Sequence, residues 1–250
     1  MDFTDDDVAA LYDLQYPWDE QRFPADGFYT GLVMAAASVL DVGCGTGRLL
    51  HRARDLGHTG RLAGIDPDAA ALRRARDRTD IDVEWVDGTA ADIAANPAWQ
   101  REFALATMVS HAFQCLIGDD ELRASLAAIH GALADDGRFA FETRHPQARA
   151  WKQWAAAEPD RVVDARGREL VVSWAIESVA DGVVTMTETT SAPDGTALHV
   201  GRGQLRFLEP DALNALLGES GFEIEEQYGD WTRGPITSES REIVTIARWL

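Results

Sequence analysis

The 250-residue sequence predicts an α/β protein, a doubly wound and mostly parallel sheet carrying an antiparallel β-meander insertion. Three observations carry this prediction. An apolar stretch at 38–42 runs into a glycine-rich turn. Strand-like and helix-like stretches then alternate as far as residue 143. From 169 to 207 the helical period disappears, and three β-rich stretches follow one another with Asp-Gly pairs between them.

In chain order, 38–42 is the first strand and 48–56 the amphipathic helix after the turn. Residues 61–65 form the second strand. Residues 67–78 form a helix opened by Pro67, at an early position where a missing N–H costs nothing. The third and fourth strands are 83–86 and 103–109. A helix over 121–133 shows its apolar face at Leu122, Leu126, Ile129 and Leu133, and Asp135-Asp136-Gly137 stops it before a fifth strand at 138–143. The meander consists of 169–176, 183–191 and 198–207, with hairpin chemistry at Asp181-Gly182 and Asp194-Gly195. Glu209-Pro210 opens a last helix, Gly221 ends it, and 222–228 and 243–249 are the final strands. No repeat or low-complexity linker interrupts the chain. We therefore expect one domain over 1–250, with 147–208 as an inserted antiparallel β lid.

The net charge of −19 argues against nucleic acid as a partner, because binding it normally takes a cluster of Lys and Arg that displaces counterions. The basic residues are almost all Arg in an Ala- and Asp-rich chain, which reads as coding bias or salt adaptation. Cys44 and Cys115 form no CxxC pair, so neither a metal site nor a disulfide framework is expected. The acidic N-terminus and the lack of an 18-residue apolar window predict a soluble, cytoplasmic protein without membrane contact.

The turn Asp41-Val42-Gly43-Cys44-Gly45-Thr46-Gly47 joins a strand to a helix. Glycines there let the backbone approach a ligand, and the helix start offers free N–H groups. A dinucleotide frame G-x-G-x-x-G fails, since it would need glycine at Arg48 or at Leu50. Asp66 ends the second strand, where a carboxylate can accept both hydroxyls of a ribose, and Pro67 follows it. A substitution of Asp66 by alanine is expected to spare the fold, on the view that this strand end faces solvent.

The run Val39-Leu40-Asp41-Val42-Gly43-Cys44-Gly45-Thr46-Gly47-Arg48-Leu49 resembles the first motif of class I S-adenosylmethionine-dependent methyltransferases. The resemblance is strong over 35–145 and weaker over 205–248. It implies a Rossmann-like sheet of seven strands with the last one antiparallel, and S-adenosylmethionine as cofactor. It also implies methyl transfer to a small-molecule acceptor, on nitrogen or oxygen. Asp41, Gly43, Gly45 and Gly47 would cradle the methionine part, the acid helping to hold its ammonium. Asp87 would accept from the adenine amino group beside the Gly88 backbone. Residues 1–35, with Tyr16, would fold over the cofactor, and Ser110 would touch it after the fourth strand.

Methyl transfer is an in-line displacement that depends on alignment, and a base is needed only where the nucleophile arrives protonated. The loop Val109-Ser110-His111-Ala112-Phe113-Gln114-Cys115-Leu116 lacks the N/D-P-P-Y motif of nucleic-acid and amide methyltransferases. His111 is its one group with a neutral-range pKa, a candidate base whose alternative reading is a capping or cofactor-packing role. Glu142 and His145 are further candidates, and pairing with Arg144 is the alternative for Glu142. Tyr12, Tyr16, Trp18 and Trp231 could hold a cation against their rings. The meander resembles lids of small-molecule N-methyltransferases that act on glycine-like amines or amino sugars, and its edge could pair two subunits as a homodimer. A non-catalytic cofactor-binding or partner-binding protein of the same fold and an NAD-dependent oxidoreductase are the competing readings.

Overall fold

The computed structural model describes residues 3–249. The chain opens with α1 (Asp5–Gln15) and α2 (Pro24–Ala35), then alternates β1 (Ser38–Val42), α3 (Arg48–Asp55), β2 (Arg61–Asp66), α4 (Ala69–Arg76) and β3 (Glu84–Asp87). After β4 (Phe103–Met108) come α5 (Asp119–Ala132) and β5 (Leu133–Arg144). The insertion holds α6 (Ala150–Ala156), β6 (Asp160–Val163), β7 (Glu169–Ala180), β8 (Val183–Ser191) and β9 (Ala197–Arg206). The chain closes with α7 (Pro210–Glu219), β10 (Phe222–Tyr228) and β11 (Glu242–Trp249).

Seven strands form one sheet in the order β10-β11-β5-β4-β1-β2-β3, and a second sheet has the order β6-β7-β8-β9. The pairs β1–β2, β1–β4, β2–β3 and β4–β5 are parallel, while β11 runs antiparallel to both β5 and β10. This is the predicted doubly wound sheet with its last strand reversed. Both faces of the large sheet are buried, as a parallel sheet requires. Leu40 and Val42 of β1 pack with α5 and α7 residues such as Leu126 and Leu213, whereas Val39 packs with Tyr29 and Val33 of α2 and Leu50 of α3. The small sheet has its own cluster, in which Leu170 and Val172 meet Leu11 of α1.

Several expected boundaries shift for identifiable reasons. Pro67 does not open α4; Asp68 caps it, accepting from the amides of Ala70 and Ala71. Asp135-Asp136-Gly137 does not separate helix from strand. It is a bulge inside β5, with Asp136 at φ 62° and the register jumping from Phe103↔Leu133 to Leu105↔Arg138. The meander has a fourth strand, β6, and α6 precedes it. Two helices, α1 and α2, occupy the N-terminal segment.

Gly47 caps α3 at φ 77°, and a Cβ there would lie 2.4 Å from the Trp85 ring. That ring also lies over Gly64, so it has little room to retreat. Gly47→Ala should therefore cost about 3 kcal/mol, left-handed strain plus overpacking, and lower the melting temperature by about 10 °C in a thermal scan.

Candidate active site

The five parallel strands end on one edge of the sheet, and the order reverses between β1 and β4. Ligands of open α/β sheets bind at such a crevice. Asp41 sits at that point, only 1% exposed. One of its carboxylate oxygens accepts from the Thr107 hydroxyl of β4 at 2.8 Å, and the other has no partner among the described residues. Burial pushes its carboxyl up to about 7 against the pull of Thr107, and the charges of Asp66 and Glu142 push the same way. An orphaned, buried carboxylate oxygen beside a turn of left-handed glycines is a site that an ammonium group satisfies. Gly43, Gly45 and Gly47 have φ of 72°, 54° and 77°, and the space a Cβ would fill at Gly45 is open. These residues fit the methionine end of S-adenosylmethionine.

Asp66 faces inward, contrary to the expectation of a solvent-facing strand end. It is 8% exposed, and its carboxylate accepts from the amides of Gly45 (2.7 Å) and Asp68 (2.8 Å). It thus braces the glycine turn from β2, and its removal would orphan two amides. Asp87 stands beside it across the β2–β3 register and is exposed, as is Pro67. The amide of Gly88 donates to the Asp66 carbonyl at 3.1 Å, so that N–H is already engaged.

Beyond β4 the backbone is strained. Ser110 and His111 both have positive φ, 56° and 63°, an arrangement that costs non-glycine residues and concentrates at functional sites. The strain aims His111 into a buried polar cluster. Its backbone N–H donates to Glu142 at 2.7 Å, and its Nε2 lies 2.9 Å from Glu242. Nδ1 is 3.8 Å from the nearer Glu142 oxygen, beyond hydrogen-bond reach. Glu142 is 1% exposed and also accepts from the Tyr29 hydroxyl. Burial raises the Glu142 carboxyl, while His111 and the Tyr29 hydrogen bond hold it back. Burial and the Glu142 charge keep the Tyr29 phenol protonated as a donor.

Arg144 is not the partner of Glu142. Its guanidinium donates to Gln114 at 3.1 Å and stacks on Trp154. His145, buried, accepts from the amide of Gln147 and caps a short turn, a structural role. Glu242 and Tyr29 escaped the sequence reading because they lie 131 and 113 residues from the groups they bond.

A cavity of about 580 Å³ takes Tyr16, Ser110, His111 and Glu142 into its wall, with Tyr12, Trp18 and Trp231. Asp41, Gly43, Gly45, Gly47, Asp66, Pro67, Asp87 and Gly88 lie outside that wall, at the ends of β1–β3. Arg48, next after Gly47, belongs to it and joins the two regions. Helix α1 stands over the glycine turn, where Asp13 accepts from Thr46 at 2.5 Å and pairs with Arg48 and Arg74. Among the described residues no cluster of His, Cys, Asp and Glu is arranged to hold a metal, and no helix is long and apolar enough to cross a membrane.

Strand order and cradle together define the methyltransferase type of α/β fold, and comparison with known proteins agrees. Residues 39–137 match the family model of the methyltransferase domain. No curated protein matches the chain in sequence. Among solved structures it is similar to the CcbJ methyltransferase from Streptomyces caelestis, at 22% identity and TM-score 0.75 over 97% of this chain and 96% of that one. It is also similar to S-adenosylmethionine-bound CalS10, an amino pentose methyltransferase from Micromonospora echinaspora (22%, TM-score 0.69, 97% and 96% covered). The sugar N-methyltransferase KedS8 from Streptoalloteichus is a third, at 19% identity and TM-score 0.66, with 94% and 92% covered. Residues 39–137 thus match a methyltransferase domain, and nearly the whole chain shares the fold of these structures.

Proposed function

We propose that this protein is an S-adenosylmethionine-dependent methyltransferase that acts on the nitrogen of a small-molecule amine, with His111 as the base that takes the amine's proton. The observation that carries the reading is the clamped histidine: His111 sits in the cavity wall with Glu142 behind it, itself bonded to Tyr29. An amine that enters as an ammonium must lose a proton before it can attack, and a positioned imidazole is suited to receive it.

The cavity chemistry favours nitrogen over oxygen. Glu142 and Glu188 share its wall with Tyr12, Tyr16, Trp18 and Trp231, and carboxylates with aromatic faces attract a cation. Its volume suits a metabolite-sized ligand. Two of the similar structures are an amino pentose methyltransferase and a sugar N-methyltransferase, which supports the same class of acceptor.

S-adenosylmethionine, when bound, supplies an activated methyl group on sulfur. In our reading Asp41 holds its ammonium, the glycine turn accommodates its methionine chain, and Asp66 and Asp87 receive its ribose and adenine. Ser110 and Tyr16 border it on the acceptor side. Leu205 and Glu188, from β9 and β8, close the acceptor cavity from the meander.

The test is calorimetry with S-adenosylmethionine, followed by product analysis over a panel of amino sugars, short amines and matched alcohols. We expect cofactor binding and N-methylated products. Methylation of the alcohols alone would overturn the assignment to nitrogen, and no binding at millimolar cofactor would overturn the cradle.

A further inference from the structure

We propose that Glu242 is the positioning residue of His111: it holds the ring proton on Nε2, so that Nδ1 is the free base offered to the acceptor. The proposal rests on the reading of His111 as the base and adds the residue that makes it one.

The geometry has three parts. Glu242 is the first residue of β11 and pairs in register with Arg144 of β5, which brings its side chain beside the loop after β4. Its carboxylate oxygen is 2.9 Å from His111 Nε2, a hydrogen-bond distance, while Nδ1 is left at 3.8 Å from Glu142. A carboxylate can only accept, so the proton of that bond belongs to Nε2 and the lone pair to Nδ1. Glu142 is not the ring's orienting group: its nearer oxygen lies 3.8 Å from Nδ1, and its hydrogen bonds go to the His111 backbone N–H and the Tyr29 hydroxyl.

The second part is access. Glu242 lines a second cavity of about 600 Å³, on the other side of Trp231 from the first, and its side chain is 20% exposed. Glu142, at 1%, has no such contact with solvent. An ionised carboxylate is far less costly at the half-open position than at the closed one. Two unlike carboxylates therefore face one imidazole, and the solvated one makes the ring bond. Two further charged groups stand close to the cluster, Arg144, which lies near both acids, and Asp41, which lies near Glu142 and Tyr29.

The third part is the proton balance. The acceptor nitrogen forms a bond to the methyl carbon as the sulfur–carbon bond breaks and its electron pair returns to sulfur, which leaves as a thioether, and the nitrogen loses one proton overall. That proton goes to Nδ1, and the resulting imidazolium keeps its Nε2 proton on Glu242, whose negative charge offsets the new positive one. When product leaves, Nδ1 releases its proton to water and the same tautomer is restored. This is the arrangement of a base oriented by a third group, here assembled from β4, β5 and β11.

Glu242→Gln and Glu242→Asp test it, alongside His111→Asn. Nitrogen NMR of the ligand-free protein should find His111 protonated on Nε2, and the Gln variant, whose amide can donate to Nε2, should lose that tautomer. With an amine substrate, Glu242→Gln should lower kcat about 100-fold or more, leave KM and cofactor affinity unchanged, and alter the acid limb of the pH–rate profile. Glu242→Asp should recover part of the rate. A wild-type ring proton on Nδ1, or a Gln variant with normal kcat and pH profile, would overturn the proposal. A loss of kcat matched by losses in melting temperature and cofactor affinity would overturn it too, as a structural role. Full activity in His111→Asn is a separate outcome, since it removes the base itself and with it the reading on which Glu242 depends.

Discussion

His111→Asn should lower turnover about 10²–10⁴-fold, with S-adenosylmethionine affinity within about twofold of the parent. Asparagine is the suitable replacement because His111 sits at φ 63°, a conformation asparagine tolerates better than most residues. The backbone N–H to Glu142 survives the exchange, so the loop after β4 keeps its anchor. What disappears is the imidazole between two carboxylates. The measurement is a pair of profiles, kcat and kcat/KM against pH, for parent and variant on the same amine. In the parent, rate falls on the acid side as the base is taken by a proton. In the variant that limb should vanish, and the remaining rate should follow the ionisation of the amine alone. An equal rate in both proteins would show that the acceptor reaches the cofactor without this base.

The second large effect concerns Asp41. Asp41→Asn keeps an oxygen for the Thr107 hydroxyl and turns the orphaned oxygen into an N–H group, which repels an ammonium. Loss of a charge-assisted hydrogen bond of about 1.5–3 kcal/mol corresponds to a roughly 10- to 150-fold weaker cofactor, read by calorimetry at pH 8. Stability should move the other way. An aspartate whose carboxyl is raised in the folded state stabilises that state while protonated. The contribution is full below the unfolded value near 4 and is lost as pH rises through about 7. Asparagine is neutral throughout. The ligand-free variant should therefore melt above the parent at pH 8, by about 5 °C, with the gap closing towards pH 4. A variant that binds the cofactor normally, or one less stable than the parent at pH 8, would contradict this account.

Much of the fold was legible because its signals are local. Each parallel strand is a short apolar run ended by a charged or glycine-rich turn, and Asp181-Gly182 does turn β7 into β8, with both residues at positive φ. Signals failed where tertiary contacts decide. Helix α1 opens with three acids and α2 contains two glycines, so neither shows a clean apolar stripe; their order comes from packing on β-sheet residues far along the chain. Strand β6 has two apolar residues among four and exists because β7 pairs with it. The site divides in the same way. The cradle acids stand at strand ends, where their spacing is visible in one dimension. The direction of the Asp66 carboxylate, turned inward onto two amides, is not visible there. Nor are the partners of His111, which come from β5 and β11.

Helix α1 has two unlike sides. Its Leu11 is packed with Leu170 and Val172 of the small sheet, and Asp7 is paired there with Arg168. Towards the glycine turn and α4 it is held by polar ties, Asp13 to Thr46, Arg48 and Arg74, and Asp6 to Arg73. Half-exposed ion pairs are worth about 0.2–1 kcal/mol each and weaken with salt, whereas apolar burial does not. The molecule thus has a seam, and it runs along the cradle side of α1. The small sheet has its own ties to the large body, where Arg206 of β9 bonds the Ile117 carbonyl and Asp119, so α1 is not its sole attachment. Rising ionic strength should therefore loosen the cradle side of α1 before its apolar side.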